Sequence, residues 1–255
     1  MGPMPRPRRK GAEEVKTLER GLSVLQALAE LKEAGLSPLA ERTGLTKSTL
    51  YRLLQTLVRH GFVEEERGVY RVGPKAFVVG QVYPRQNLLL AVRPEMEALA
   101  AETGESVNLA VPAGREALYL DQAEGARLVR LFTAPGSRAP LHATGVGKVL
   151  LAFRGIPEGL SLVPYTPFTL TRLEDLKREL ETVRRKGYAL DNEERELGVR
   201  CVAAPVFGPG GEVVAALSLS APASRLSLEE AHRLAPRVVE AARKASLRLG
   251  FVPAL

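Results

Sequence analysis

The chain has 255 residues but only one cysteine, three methionines and no tryptophan, and aromatic residues make up just 5% of it. A single thiol, Cys201, excludes an internal disulfide framework and any cysteine-only metal site. No run of about 18 apolar residues occurs, which excludes a spanning helix. The opening segment is basic, and no apolar stretch follows Lys10. That reading gives no secretory signal and a cytoplasmic protein with no membrane partner. Acidic residues are missing from one stretch in particular: none occurs from Thr46 to Phe62.

What is present is ordinary for a folded chain. Hydrophobic residues make up 45% and charged residues 25%, which excludes wholesale disorder. The length suits one large domain or two modest ones. The charge is uneven. Residues 1–80 hold 14 Lys+Arg against 9 Asp+Glu, and residues 81–255 hold 22 against 20. The cationic excess in the first third fits either a polyanionic partner or a solvated surface.

Residues 1–11 carry Pro, Arg and Gly without an apolar period and read as a disordered basic arm. From Thr17, the residues Leu18, Leu22, Leu25 and Ala29 recur at helical spacing and predict an amphipathic helix ended by Gly35. Ser37-Pro38 predicts the start of a second, short helix closed by Thr43-Gly44. Thr46 is the N-cap of a third, whose buried stripe is Leu50, Leu53, Leu54, Leu57 and Val58. Gly61 ends it. Phe62-Val63 and Val69–Val72, around the turn Glu64–Gly68, predict a hairpin. Three helices and a hairpin over residues 12–74 make the plan of a winged helix-turn-helix.

The polar face of the third helix then decides between readings. With the leucines inward, Lys47, Ser48, Thr49, Tyr51, Arg52 and Gln55 face out. Such residues read base edges and carry no charge that phosphates repel. Thr46 at the cap and Arg67 and Arg71 on the wing complete the candidate DNA contacts. Arg6, Arg8, Arg9 and Lys10 of the arm would add salt-dependent affinity. The bland reading is a helical hairpin with a solvated face, used for protein contacts. Glu64, Glu65 and Glu66 oppose a phosphate contact at the start of the wing.

Residues 75–103 read as a helical linker with a break near Pro84 and a restart near Pro94. Leu88-Leu89-Leu90 and the stripe near Met96 are candidate contacts between protomers. Residues 104–255 mix strands (Val107–Val111, Ala117–Leu120, Leu128–Phe132, Tyr188–Leu190, Val202–Phe207, Val213–Leu219) with helices. One helix is predicted over Gly145–Phe153. Two more follow capping boxes at Thr171–Glu174 and Ser227–Glu230. Hairpins and crossovers both occur, so the reading is an α+β domain with a mostly antiparallel sheet.

Motifs for chemistry in this half are incomplete. Gly145-Val146-Gly147-Lys148 lacks the glycine of a Walker loop at His142 and the hydroxyl at Val149, and Leu150 breaks the Rossmann fingerprint. A glycine-rich helix start still presents free N–H groups to a small anion, or it is simply closely packed. Ser218 and Ser220 share one strand face, where they either satisfy each other or line a polar pocket. A triad of Ser218, His142 and Asp191 has no nucleophile elbow. A zinc site from His142, Cys201 and Asp191 lacks close-spaced ligand pairs. No catalytic residue, metal or cofactor is assigned.

The runs LERGLSVLQALAE, LSPLAERTGLTKSTLYRLLQTLVRHGFVEE and YRVGPKAFVVG resemble the IclR family of bacterial transcription regulators. So do PLHATGVGKVLLA and GYALDNEERELGVRCVAAPVFGPGGEVVAALSLSAPASRL, and the likeness runs from Thr17 to Leu249. The resemblance implies a ligand-responsive regulator, a repressor, on double-stranded operator DNA. It also implies a homodimer or dimer of dimers with a GAF/profilin-like effector-binding and oligomerisation domain over 104–255. The effector implied is a small carboxylate such as glyoxylate or pyruvate. Carried over by motif, the amides of Gly145 and Val146, with Asp191, Cys201, Ser218 and Ser220, would hold it. Leu128, Leu131 and Val199 would form the apolar wall. The alternatives are an architectural DNA-binding protein whose second domain only oligomerises, and an enzyme fused to a DNA head.

Overall fold

The computed structural model describes residues 15–81 and 86–252. The expected basic arm and the break near Pro84 lie outside those residues. The chain divides into two compact units, Met1–Pro84 and Arg85–Leu255.

The first unit contains helices α1 (Lys16–Leu31), α2 (Leu36–Thr43) and α3 (Lys47–Arg59), then α4 (Pro74–Gln81). Its sheet has strands β1 (Glu33–Gly35), β2 (Val63–Glu66) and β3 (Val69–Val72) in the order β1-β3-β2, all antiparallel. This is the expected winged helix-turn-helix, with three corrections. First, α1 buries Val24, Ala27 and Leu28, while Leu18, Leu22 and Ala29 are exposed. The apolar residues of this helix fall on two faces, and only one meets the core. Second, α1 stops at Leu31, so the residues before Gly35 are free to pair with β3 as a short strand. Third, α2 begins one residue before Ser37, and its N-cap position is Gly35, with no side-chain cap. Glu64–Glu66 lie in β2 rather than in the turn. The turn is the pair Arg67-Gly68, both at positive φ, which suits a tight hairpin.

The second unit is one six-stranded antiparallel sheet with helices on both faces. Its elements are α5 (Gln86–Thr103), β4 (Ser106–Ala113), β5 (Glu116–Ala123), β6 (Arg138–Pro140), α6 (Gly145–Arg154) and α7 (Leu173–Lys186). They continue with β7 (Ala189–Asn192), β8 (Val199–Phe207), β9 (Val213–Pro222) and α8 (Leu228–Arg248). The strand order is β6-β5-β4-β9-β8-β7. Period two splits the strands cleanly. Leu217, Leu219, Val202, Val206, Val107 and Leu109 face α5 and α8, whereas Ala203, Ala216 and Ala110 face α6 and α7.

Several expectations fail here for physical reasons. The α5 helix continues through Pro94, because burying Leu88, Val92, Met96 and Leu99 outweighs the cost of an interior proline, about 3 kcal/mol. Leu88 and the Met96 stripe are therefore core residues of their own unit, not protomer contacts, and α5 is a core helix rather than a free linker. Leu90 remains exposed. Residues 128–132 form no strand; they belong to a loop between β5 and β6. Of the two capping boxes, Ser227 does cap α8 through the Glu230 N–H at 3.1 Å. At α7 the N-cap is Arg172, without a side-chain bond, in place of Thr171.

Candidate functional sites

The first site is the outer face of α3. Thr46 caps the helix, accepting the Thr49 N–H at 3.4 Å and donating to the Thr49 hydroxyl at 3.0 Å. Burial of Leu50 and Leu54 against α1 and α2 turns Lys47, Ser48, Tyr51 and Arg52 to solvent. Thr49 and Gln55 sit half-buried at the edges of that face. Among the described residues, Lys47, Arg52, Arg59 and Arg67 form no ion pair. Thr17 and Arg20 of α1 line a groove of about 540 Å³ with Tyr51, Arg52, Gln55 and Arg59. The sequence reading missed Arg20, because it treated α1 as core alone.

The wing is less open than expected. Arg71 pairs with Glu64 and Glu66, each at 3.1 Å, across the hairpin. The Glu65 carboxylate accepts the Gly68 N–H at 2.9 Å. A phosphate would have to compete with two carboxylates for Arg71, whereas Arg67 at the tip is unengaged.

The second site is a polar row on the sheet at the N-terminus of α6. Antiparallel register sets Asp191 opposite Cys201, Cys201 opposite Ser220, and Ser220 opposite Ser106. The adjacent row runs Ala203, Ser218, Asn108, Gln122. Asn108 Nδ2 donates to Ser220 Oγ at 3.2 Å, and Gln122 Nε2 donates to Asn108 Oδ1 at 2.8 Å. Asn108, Ser106 and Gln122 escaped the sequence reading. The lone Asn within an apolar strand, two residues from Ser106, was the available signal.

Close packing brings α6 onto this row. A Cβ on Gly145 would lie 3.2 Å from the Ala203 Cβ and 3.7 Å from the Asp191 backbone nitrogen. A Cβ on Gly147 would lie 2.3 Å from the Leu141 carbonyl oxygen. The approach requires a glycine at 147, whereas a Cβ at 145 would be tight but would press only on a side chain. Thr144 caps the helix by accepting the Gly147 N–H at 3.2 Å. The buried N–H groups of Gly145 and Val146 have no partner among the described residues, as expected for a first turn.

The electrostatics are those of a dry site. Asp191 is 2% exposed, and burial with Glu194 nearby pushes its carboxyl up to about 7. The Glu194 N–H, donating at 2.9 Å, opposes that shift. Loss of solvent around the sulfur and the Asp191 charge push the Cys201 thiol up. Desolvation does the same to Tyr119.

Of the carried-over residues, Gly145, Val146, Asp191, Cys201, Ser218 and Ser220 meet at this point. Val199 lies on the same strand face as Cys201, half-buried. Leu131 approaches through its main chain: its carbonyl accepts from Ser106 at 2.7 Å and from Gln122 at 3.3 Å. Leu128 does not belong there, because it is 99% exposed on the loop. His142 joins neither Ser218 nor Asp191. Its Nε2–H donates to the Val163 carbonyl at 2.9 Å, and its Nδ1 is buried without a partner. Among the described residues no cluster of three or more His, Cys, Asp or Glu could hold a metal, and no helix is long and apolar enough to cross a membrane.

Comparison with known proteins agrees with this architecture. The IclR helix-turn-helix domain model matches residues 17–67, and the model described as the bacterial transcriptional regulator IclR C-terminal matches residues 80–247. The chain is 37% identical over 249 residues to the acetate operon repressor of Salmonella typhimurium, covering 93% of this chain and 91% of that one. The crystal structure of the Thermotoga maritima IclR superposes with a TM-score of 0.74 at 31% identity, covering 93% and 100% of the two chains. An IclR homolog from Microbacterium hydrocarbonoxydans, complexed with 4-hydroxybenzoate, gives a TM-score of 0.74 at 26% identity, covering 91% and 98%.

Proposed function

The chain belongs to the IclR family of DNA-binding bacterial transcriptional regulators, and from that premise we propose that its second unit senses a small organic acid that alters how the first unit holds operator DNA. Members of this family are regulators, not enzymes. The observation that carries the reading is the row of Asp191, Cys201, Ser218 and Ser220 under the N–H groups of Gly145 and Val146, which have no partner among the described residues. A helix start with free amides attracts a carboxylate, and the hydroxyls supply further donors. Leu131 and Val199 flank the row. The 4-hydroxybenzoate complex of the Microbacterium homolog supports an acid as the ligand class. The name of the Salmonella relative supports repression as the sign of control.

On the first unit, Lys47, Ser48, Thr49, Tyr51, Arg52 and Gln55 enter the major groove, with Arg67 reaching the backbone or minor groove. A homodimer sets two such helices in successive grooves, and a dimer of dimers doubles the arrangement. The acid acts by binding one arrangement better than the other.

The test is thermal stabilisation of the full chain by glyoxylate, pyruvate and 4-hydroxybenzoate. One of them should raise the melting temperature of the wild type. The Ser218→Ala/Ser220→Ala double variant should melt somewhat lower, because the buried Asn108 Nδ2 loses its acceptor, yet stay folded, bind DNA as before and lose the response. A normal response from that variant would remove the serines from the site. No stabilisation by any acid would favour a second unit that only oligomerises.

A further inference from the structure

We propose that Lys148 is a positioning residue for effector binding: it ties the turn that presents Asp191 to the N-terminus of α6. The proposal rests on the site described above.

Lys148 stands in the first turn of α6 with its side chain 1% exposed. Two effects oppose it there. A cation at a helix N-terminus meets the positive end of the dipole, and a buried charge loses its hydration. It is held by Glu194 at 2.6 Å and Glu179 at 3.1 Å. The bond to Glu194 has a consequence three residues back in the chain, at Asp191. The Glu194 backbone N–H donates to Asp191 Oδ1 at 2.9 Å, while Glu194 Oε1 also accepts the Asn192 N–H at 3.4 Å. Anchoring the Glu194 carboxylate beneath α6 thus fixes the Asp191 carboxyl relative to the Gly145 and Val146 amides.

The turn needs such holding. Glu193 sits at φ +61°, in the left-handed region that a side chain disfavours. Strained residues persist only where their surroundings over-determine them. Here the Glu193 carbonyl accepts from Thr166 at 2.7 Å and the Glu194 carbonyl from Thr169 at 2.6 Å. Arg200 binds the Glu193 carboxylate at 2.6 Å and Asn192 Oδ1 at 2.7 Å. Those contacts fix the shape of the turn. Lys148 is the side chain that links it to α6, so the spacing between the anion end of the site and Asp191 depends on this pair.

The test is a double-mutant cycle by isothermal titration of the full chain with glyoxylate, pyruvate and 4-hydroxybenzoate. Lys148→Met combined with Glu194→Gln removes the buried pair together and leaves only the partly exposed Glu179 carboxylate without its cation. This pair variant should weaken acid binding by about tenfold, the size of loss that outer-shell partners of metal ligands give. Added to Asp191→Asn it should cost nothing further, because it acts through Asp191. A brace with a purely structural role would instead give additive losses, and these would overturn the proposal. So would wild-type affinity in the pair variant. Should circular dichroism show the pair variant unfolded, Glu194→Gln alone keeps a hydrogen-bond acceptor for Lys148. It should show a smaller loss that is likewise absent on Asp191→Asn, and additivity there overturns the proposal too. If Asp191→Asn weakens binding and the pair variant does not, the site stands and only the role of Lys148 falls. If the wild type binds none of the acids, or Asp191→Asn binds like wild type, the site reading itself fails and takes this proposal with it.

Discussion

The two units each display a polar surface, and the two surfaces are built in opposite ways. On α3 Lys47, Ser48, Tyr51 and Arg52 are exposed, and Lys47 and Arg52 form no ion pairs among the described residues. At the start of α6 the polar residues are buried, bonded to one another across four strands, and pressed against glycines. An exposed, cationic, acid-free face suits a large hydrated polyanion whose counterions are released on contact. A buried row with two spare amides suits a small ligand that sheds its water. Two surfaces built so differently would not compete for one partner.

The strongest way to break the comparison is Gly147→Ala. Its Cβ would meet the Leu141 backbone, which cannot give way cheaply. We expect a loss of about 3 kcal/mol from the second unit. Calorimetry should show a lowered transition for that unit and an unchanged one for the first. Next is Arg52→Ala. It should cost about 1–3 kcal/mol of specific DNA affinity, read by fluorescence anisotropy, with folding intact. Unaltered affinity would move Arg52 off the groove-facing side.

A third prediction concerns pH. The Asp191 carboxyl is raised to about 7. The groups that face it are Glu194, Lys148, the Arg195 backbone, Cys201 and Tyr119. A raised carboxyl binds its proton more tightly in the folded state. Its contribution to stability is thus complete below the unfolded value of about 4 and is lost as pH rises through about 7. A carboxylate ligand beside Asp191 favours the same protonated form. Affinity for the acid should fall between about pH 6 and about pH 8, by at most about tenfold per unit. In Asp191→Asn that dependence should flatten. The smallest effect belongs to the wing. Arg71→Ala should reduce DNA affinity less than Arg67→Ala, because Arg71 is already held by Glu64 and Glu66.

The sequence was most legible where local rules and burial agree. Thr46 caps α3, Leu50 and Leu54 pack inward, and the SLS strand puts both serines on one face, all as periodicity requires. It was least legible where tertiary contacts overrule local pattern. Pro94 reads as a restart, yet α5 continues because its apolar face has a core to enter. Leu128 to Phe132 have the composition of a strand, yet they form an irregular loop, and Leu128 ends up in solvent. Arg71 looks like a phosphate contact until the hairpin register brings Glu64 and Glu66 beside it. The Lys148–Glu194 pair spans 46 positions of sequence, and only the fold reveals it.

We propose that an acid bound in the second unit changes DNA binding by the first. The direct measurement is fluorescence anisotropy of the full chain on DNA from upstream of its own gene, across a salt series, with and without the small acids. Sequence-selective, salt-sensitive binding is expected, with an affinity that one acid shifts by about 5–150-fold. Selective binding that no acid changes, in a chain that calorimetry shows does bind the acid, would contradict it.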